Sequence, residues 1–347
     1  MPTKTRVEYI DVLRAIAIIL VIIGHIPYPG FSTTLHKWIY AFHIPLFFFV
    51  SGMSLCFTNY SKLSLKANFR KRFFRIYSPY LIWGIALALP NITIETILKL
   101  LYGTHQSIAS VSNSSLWFLP VLFIATLLID MLLYTLHRIG KRKFLPLMLL
   151  FIPPIVLLIP TQATIQSLLG GHNLPFGIDI VPMAIFFMLS GYLLQSRKIC
   201  NRHRFSALFY FLLILLFLLI TTYFSLCNDV NYVLMAENRY GNYIYFFIAA
   251  FSGIMASFLL SKTIVKYTIK LSQILQKIGS DTLLIFILHK YPLLLVNDIV
   301  TLIPVAYIPN YFIVPIYLLF SLVICVPISS YIKKHAPFLT GGLVKSS

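Results

Sequence analysis

Residues 205–225 read FSALFYFLLILLFLLITTYFS, a stretch that is almost wholly apolar and carries no charged side chain. A helix of about 20 apolar residues is long enough to cross the hydrocarbon core of a bilayer. Nine other apolar stretches along the chain have a similar character, so the sequence predicts ten membrane-spanning helices. The predicted spans are residues 12–27, 38–57, 77–90, 117–136, 146–160, 177–195, 205–225, 241–260, 282–303 and 311–332.

The composition agrees with this prediction. Of the 347 residues, 59% are hydrophobic and only 11% are charged, and the mean hydropathy is +0.87. About a quarter of the residues of a typical soluble domain are charged. No long polar stretch is left over to form a soluble domain. We therefore expect an all-α fold, a polytopic transmembrane helical bundle that forms a single domain over residues 1–347.

The distribution of basic residues predicts the orientation of the bundle. If the N-terminus is cytoplasmic, 23 of the 28 Lys and Arg residues lie in cytoplasmic segments, 3 lie in outer segments and 2 lie within spans. Cytoplasmic loops of membrane proteins are rich in Lys and Arg. The sequence thus predicts that both the N-terminus and the C-terminus are cytoplasmic, in an arrangement of ten spans.

Charge and cysteine content exclude several classes of function. The net charge is +19, but the basic residues are dispersed among short loops and form no polar basic domain that would bind nucleic acid. The four cysteines are scattered without the spacing of metal ligands or of a disulfide framework. We expect no metal site, no permanently bound cofactor and no nucleic-acid partner.

The first predicted span carries two ionisable side chains, Arg14 and His25. Eleven steps of about 100° place both on one stripe of a helix, about 16 Å apart along its axis. Ionisable residues inside a bilayer are costly and usually functional. The structural alternative is an interfacial anchor for Arg14 and a hydrogen-bonded histidine for His25. Asp11 precedes Arg14 by three residues and is a candidate for pairing with it.

Other polar residues fall where they can join such a site. His43 is near the outer end of the second span, at the depth expected for His25. Histidine can take a proton from a hydroxyl group and return it, although a structural role is the alternative for His43. His289 lies several residues into the ninth span, and Trp117 opens the fourth. Asp130 lies near the inner end of the fourth span, with no partner evident from the sequence.

A basic segment precedes the third span and contains Arg72 and Arg75. Residues three apart are neighbours on the surface of an α-helix, and paired guanidinium groups bind phosphate well. The segment is therefore a candidate binding site for a phosphorylated cytosolic ligand. The alternative interpretation is that these residues serve only to fix topology and to contact lipid headgroups.

In combination these segments resemble the acyltransferase-3 family of membrane enzymes. The resemblance rests on the Arg-x10-His spacing of Arg14 and His25, on the Arg-x-x-Arg spacing of Arg72 and Arg75, and on several neighbouring stretches. The similar stretches are Arg6–Ala17, Ile23–His25, Phe42–Gly52, Arg72–Arg75, Tyr77–Tyr80, Leu116–Leu119, Ile278–Leu283 and Leu288–His289. The similarity is clear over about residues 6–120 and fainter near the C-terminus. Ala15 departs from the family, in which glycine is common at that position.

The resemblance implies a ten-helix enzyme of the bacterial cytoplasmic (inner) membrane. Such enzymes move an acyl group, usually acetyl, from acyl-CoA to a hydroxyl group of an O-antigen, capsule or exopolysaccharide. Acetyl-CoA, a lipid-linked or polymeric glycan and membrane lipids would then be the partners. The implied roles are catalytic for His25 and Arg14, acyl-CoA binding for Arg72 and Arg75, and substrate contact or support for Asp11, His43, Trp117 and His289.

Two questions stay open at the level of sequence. His25 can act as a general base on the acceptor hydroxyl group, or it can be acylated transiently and pass the acyl group on. The runner-up function is a transporter or flippase of lipid-linked sugars, which would also combine many spans with buried charges.

Overall fold

The computed structural model describes residues 7–29, 31–89, 91–141, 145–146, 162–169, 174–197, 206–302 and 309–342. Regular structure within these ranges is helical, apart from an isolated β-bridge between Leu234 and Arg239. The all-α prediction is therefore confirmed for the described residues. The predicted span 146–160 lies, except for its first residue, outside them.

Sixteen α-helices are described, and we number them in chain order. They are α1 (Glu8–Gly24), α2 (Thr33–Tyr40), α3 (His43–Leu55), α4 (Leu65–Arg72), α5 (Ser78–Leu87), α6 (Ile94–Tyr102), α7 (His105–Ala109), α8 (Phe118–Arg138), α9 (Gln162–Leu168), α10 (Val181–Ser196), α11 (Ala207–Cys227), α12 (Tyr243–Tyr267), α13 (Ile269–Ser280), α14 (Thr282–Leu288), α15 (Lys290–Thr301) and α16 (Asn310–His335). Short 3₁₀ turns cover Tyr60–Lys62, Ser114–Trp117, Pro175–Gly177, Met235–Glu237 and Pro337–Thr340.

Six helical segments within the described ranges are long and apolar enough to cross a membrane. They are Thr33–Leu55, Ser114–Arg138, Pro175–Ser196, Ala207–Cys227, Tyr243–Tyr267 and Tyr311–His335. Each coincides with one of the predicted spans. A seventh candidate is the pair α13 and α14, which is bent by 66°. The chain is thus a multi-pass membrane protein.

The remaining predicted spans take other forms. The span predicted at 12–27 corresponds to α1, which has 17 residues, so that His25 caps the helix instead of lying inside it. The span predicted at 77–90 corresponds to α5, which has only 10 residues but continues from α4 through a wide turn. The span predicted at 282–303 is interrupted at His289, between α14 and α15.

α11 shows why lipid must surround the protein. Its side chains are apolar around the whole helix. Only 6% of its most apolar stretch of residues is buried inside the protein. A helix that is hydrophobic on every side needs an apolar environment on every side. Because the protein leaves most of α11 uncovered, the hydrocarbon chains of the bilayer must cover it.

The chain folds into two compact units. The first comprises Met1–Val50, Lys198–Val233 and Tyr240–Ser330, and the second comprises Ser51–Arg197, Leu234–Arg239 and Tyr331–Ser347.

Close helix packing in the first unit depends on glycines. A Cβ atom added to Gly279 of α13 would lie 1.8 Å from the carbonyl oxygen of Asp11 in α1. Small residues allow helices to approach this closely in membranes. In the same unit, a Cβ atom on Gly253 of α12 would lie 2.4 Å from the ring of Phe42. The first contact holds α1, and with it Asp11, against α13, and the second holds α12 against the connection between α2 and α3.

The second unit contains an unusual helical turn. α4 passes into a π-helix over Phe73–Tyr77, and α5 follows without a break. A π turn closes i→i+5 hydrogen bonds and is therefore wider than an α turn, and such turns are frequent at functional sites. Residues three apart across this turn no longer stand above one another as they do in an α-helix.

Candidate active site

His25 ends α1 and is held by the helix itself. Its Nδ1 lies 2.8 Å from the carbonyl oxygen of Val21, one turn earlier. A carbonyl oxygen can only accept a hydrogen bond, so Nδ1 must carry the proton and donate it. Nε2 of the neutral ring then bears the lone pair. The backbone thus fixes the tautomer in which Nε2 is the basic atom of His25.

His289 faces His25 within the first unit. Its side chain is fully buried at the break between α14 and α15, and its Nδ1 lies 2.7 Å from the carbonyl oxygen of Phe286. The two imidazole rings lie edge to face, with their centroids 5.0 Å apart. Nε2 of His289 is buried and has no hydrogen-bond partner among the described residues. A buried polar atom without a partner is costly, and at a functional site it is a candidate for binding a ligand group.

His43 repeats the same hydrogen bond. It is buried at the start of α3, and its Nδ1 lies 2.9 Å from the carbonyl oxygen of Ile39. Tyr40 connects it to His25, since its ring centroid is 4.6 Å from that of His43 and 6.2 Å from that of His25. We call His25, Tyr40, His43 and His289 the histidine cluster. Each of its three imidazole rings keeps Nε2 as its basic nitrogen.

Two further aromatic residues extend the histidine cluster and were missed by the sequence analysis. The ring of His36 stacks on that of Tyr232 at 4.6 Å and contacts that of Tyr40 at 4.2 Å. His36 and Tyr40 are four residues apart in α2, a spacing that places them on one helical face and was a usable signal. Tyr232 lies far away in the sequence, and no local pattern indicates its contact with α2.

Arg14 lies toward the other end of α1 from His25. Its Nη1 lies 2.8 Å from Oδ1 of Asp11, which confirms the pairing expected from their spacing. Asp11 is buried and the side chain of Arg14 is 33% exposed. Eleven helical residues correspond to about 16 Å, so this ion pair and the imidazole of His25 occupy different depths. The structure does not bring the two predicted catalytic residues into one cluster.

Arg72 forms a buried ion pair in the second unit. Its Nε lies 2.8 Å from Oδ2 of Asp130, and its Nη2 lies 3.2 Å from Oδ1. Tyr60 donates its hydroxyl proton to Oδ1, and the amide of Asn68 donates to Oδ2, each at 2.7 Å. Asp130, which had no evident partner in the sequence analysis, therefore accepts hydrogen bonds from three side chains.

The π turn separates Arg72 from Arg75. The sequence interpretation treated the two as neighbours on an α-helical face, but the chain between them enters the π-helix at Phe73. The side chain of Arg72 is 12% exposed and points to Asp130, whereas Arg75 is exposed. The two guanidinium groups thus have different environments. The positive charge of Arg72 is neutralised by the carboxylate of Asp130.

Trp117 also belongs to the second unit. It ends the 3₁₀ turn Ser114–Trp117 and is buried, with its ring edge-on to that of Phe118 at 6.2 Å. Together with His105 and Asp179 it lines a small cleft. The volume of this cleft is about 10 Å³, which on this measure is room for about one water molecule, so the cleft as it stands does not hold a sugar.

Comparison with protein families decides the class of the protein. A family model described as an acyltransferase domain, Acyl_transf_3, matches residues 7–330. The chain belongs to the acyltransferase-3 family. The match extends well beyond residues 6–120, where the sequence analysis found the clear resemblance, and includes the segment with His289. No curated protein sequence matches the chain in a separate comparison.

Membership in the acyltransferase-3 family establishes the coarse assignment. The protein is a multi-pass membrane acyltransferase. The family match favours an acyltransferase over the alternative function, a transporter or flippase of lipid-linked sugars. No comparison supports that alternative.

Proposed function

We propose that this acyltransferase moves an acyl group, most simply acetyl, from cytosolic acyl-CoA to a hydroxyl group of a cell-envelope carbohydrate. The acceptor class is an O-antigen, capsule or exopolysaccharide glycan, either lipid-linked or polymeric. The proposed location is the bacterial cytoplasmic membrane, with ten spans and both termini in the cytoplasm. The 23-to-3 distribution of basic residues supports this orientation.

The observation that carries the proposal is the arrangement of His25 and His289. Both rings use Nδ1 as a donor to a backbone carbonyl group, so both keep a basic Nε2. A general base must have its lone pair available and its ring held in place. Within the described ranges Nε2 of His289 is buried and has no hydrogen-bond partner, so its lone pair is available to a ligand group.

The proposed reaction begins with the acceptor hydroxyl group at Nε2 of His25. Nε2 takes the hydroxyl proton while the oxygen attacks the thioester carbonyl carbon, and a tetrahedral intermediate forms. The carbon–sulfur bond then breaks, the ester remains on the sugar, and the imidazolium returns the proton to the leaving thiolate of CoA. In this version Nε2 of His289 accepts a hydrogen bond from a second hydroxyl group of the acceptor and orients the sugar.

The second version uses the same nitrogen as a nucleophile. Nε2 of His25 attacks the thioester carbonyl carbon, the carbon–sulfur bond breaks, and CoA leaves as the thiolate while the acyl group stays on the imidazolium. The acceptor oxygen then displaces the imidazole from the acyl carbon, and the proton of the acceptor hydroxyl group passes to the thiolate. The two versions differ in one observable species, an acylated His25. Incubation with acetyl-CoA in the absence of acceptor, followed by rapid quenching and peptide mass spectrometry, distinguishes them.

The remaining residues receive supporting roles. We propose that Arg75, which is exposed at the π turn, contacts the phosphates of acyl-CoA, and that Arg72 orients the same segment through its ion pair with Asp130. Arg14, paired with Asp11, contacts the incoming donor along α1 in this proposal. His43 supports the histidine cluster through Tyr40, and Trp117 contributes substrate contact or support within the second unit.

The test of this function compares His25→Ala with His335→Ala at equal expression. His335 ends α16 and is exposed, so its substitution is the matched control. The proposal expects acyl transfer to the envelope glycan to fall about 10²- to 10⁴-fold in His25→Ala, the range for loss of a general base. Mass spectrometry of the isolated polysaccharide measures the acyl content. Unchanged acylation in His25→Ala refutes the catalytic assignment.

A further inference from the structure

A cavity lies where α1 and α11 begin and α12 ends, all within the first unit. The residues that line it are Tyr9, Tyr210, Lys262, Thr263, Val265 and Lys266. Two of these described residues are cationic and two are aromatic, and none of the six is a carboxylate. The positive-inside rule predicts that this end of the unit faces the cytoplasm.

The cavity is large enough for more than solvent. Its volume is about 270 Å³. On the same measure a single water needs roughly 10–15 Å³, so the cavity has room for a phosphate group together with part of the molecule that carries it. We call this space the lysine cavity.

The two lysines on its wall repel one another. Lys262 and Lys266 are four residues apart in α12, which places two like charges on one helical face. Such a pair is unfavourable by itself. An anion between the two ammonium groups would turn this repulsion into attraction for both.

Aromatic rings hold the lysines in place. Nζ of Lys262 lies 5.5 Å from the ring centroid of Tyr9 and 5.3 Å from that of Phe258. Nζ of Lys266 lies 5.9 Å from the centroid of Tyr210 and 4.8 Å from that of Tyr267. These cation–π contacts restrict the flexible side chains at the cavity. Less conformational entropy is then lost when a ligand binds.

We propose that the lysine cavity binds the phosphate group of an anionic ligand. Two sources of that chemistry reach the cytoplasmic face: the nucleotide end of acyl-CoA and the headgroup of an anionic phospholipid. None of the residues that line the lysine cavity belongs to the segment around Arg75. It is also independent of the chemistry at His25, because only binding is proposed.

The experiment measures binding to the full-length protein in lipid nanodiscs. The test variant is Lys262→Gln/Lys266→Gln. The matched control is Lys270→Gln/Lys277→Gln, which removes two exposed lysines from α13 that do not line the cavity. In the first arm, calorimetry in phosphatidylcholine nanodiscs gives the dissociation constants of CoA and of dephospho-CoA, which lacks the 3′-phosphate. In the second arm, native mass spectrometry measures phosphatidylglycerol retained against phosphatidylcholine.

The proposal expects the test variant to lose about tenfold or more in affinity in one of the arms, and the control to lose less than twofold. Loss of a charge-assisted hydrogen bond has an effect of this size. A weaker affinity for CoA assigns the site to the nucleotide, and a lower retention of phosphatidylglycerol assigns it to the lipid.

Equal binding by the test variant and the wild type in both arms overturns the proposal. If the double variant does not fold, the single exposed change Lys266→Gln is measured in the same way. Since the readout is binding, the result is independent of whether His25→Ala abolishes acyl transfer.

Discussion

The buried ion pair of the second unit predicts a large effect for Asp130→Asn. Asp130 accepts hydrogen bonds from Arg72, Tyr60 and Asn68, and its side chain is only 2% exposed. The asparagine side chain has the same shape but no charge. Its amide NH2 group can only donate hydrogen bonds, and it would face the donor groups that now bind the carboxylate of Asp130. The guanidinium group of Arg72, 12% exposed, is left without its counterion.

Removal of one partner from a buried ion pair typically costs about 3–5 kcal/mol. We expect Asp130→Asn to lower the free energy of unfolding by about this amount. Equilibrium unfolding in mixed micelles, with near-ultraviolet circular dichroism as the signal, measures the change. Asp298→Asn is the control, because that carboxylate is exposed and its loss should change the stability by less than about 0.5 kcal/mol.

A double-mutant cycle isolates the interaction energy between Arg72 and Asp130 from their interactions with other residues. Arg72→Gln/Asp130→Asn removes both charges, so it should be less destabilised than the sum of the two single variants. The coupling energy expected for contacting residues is about 0.5–3 kcal/mol. A loss below about 1 kcal/mol in Asp130→Asn, together with additive single variants, would refute the reasoning from burial and charge.

Three further predictions follow from other contacts. Burial and the charge of Asp130 raise the pKa of Tyr60, so the folded protein keeps the phenol proton above about pH 10 while the unfolded chain loses it. Stability should therefore fall as the pH rises through this range, and Tyr60→Phe should flatten that fall in pH-dependent unfolding. Gly279→Ala places a Cβ atom against the carbonyl oxygen of Asp11 and should destabilise the protein by about 1–3 kcal/mol, measured by the same unfolding assay. His289→Gln should raise the Michaelis constant for the acceptor about 10-fold or more and change that for acyl-CoA little; the opposite pattern would assign His289 to the donor.

Features that depend on local sequence could be predicted. A run of apolar residues such as 205–225 needs lipid wherever it lies in the chain, so six predicted spans coincide with long helices of the structure. The ion pair of Asp11 and Arg14 also depends only on helical spacing. The family motifs could be found from the sequence for the same reason, since each of them is short and continuous.

Features that depend on distant contacts could not be predicted. Arg72 and Asp130 are 58 residues apart, and neither residue type indicates the other. The contact of His25 with His289 depends on how α14 and α15 return to α1. Pro292, in the first turn of α15, has no backbone N–H to continue the hydrogen bonding of α14, so it marks the break between the two helices but does not indicate the contact with His25. The sequence analysis did not predict the π turn.

The π turn has a consequence for the whole segment from α4 to α5. Before the turn, Asn68 and Arg72 point to Asp130; after it, the indole of Trp83 donates to the carbonyl oxygen of Leu339 at 2.9 Å. An i→i+5 turn contains one residue more than the i→i+4 turn of an α-helix. Removal of one residue from the turn would therefore restore ordinary α-helical winding and leave the two halves close to their present orientation, so that both sets of contacts survive. The wide turn thus accommodates one extra residue without changing the partners of the side chains on either side of it.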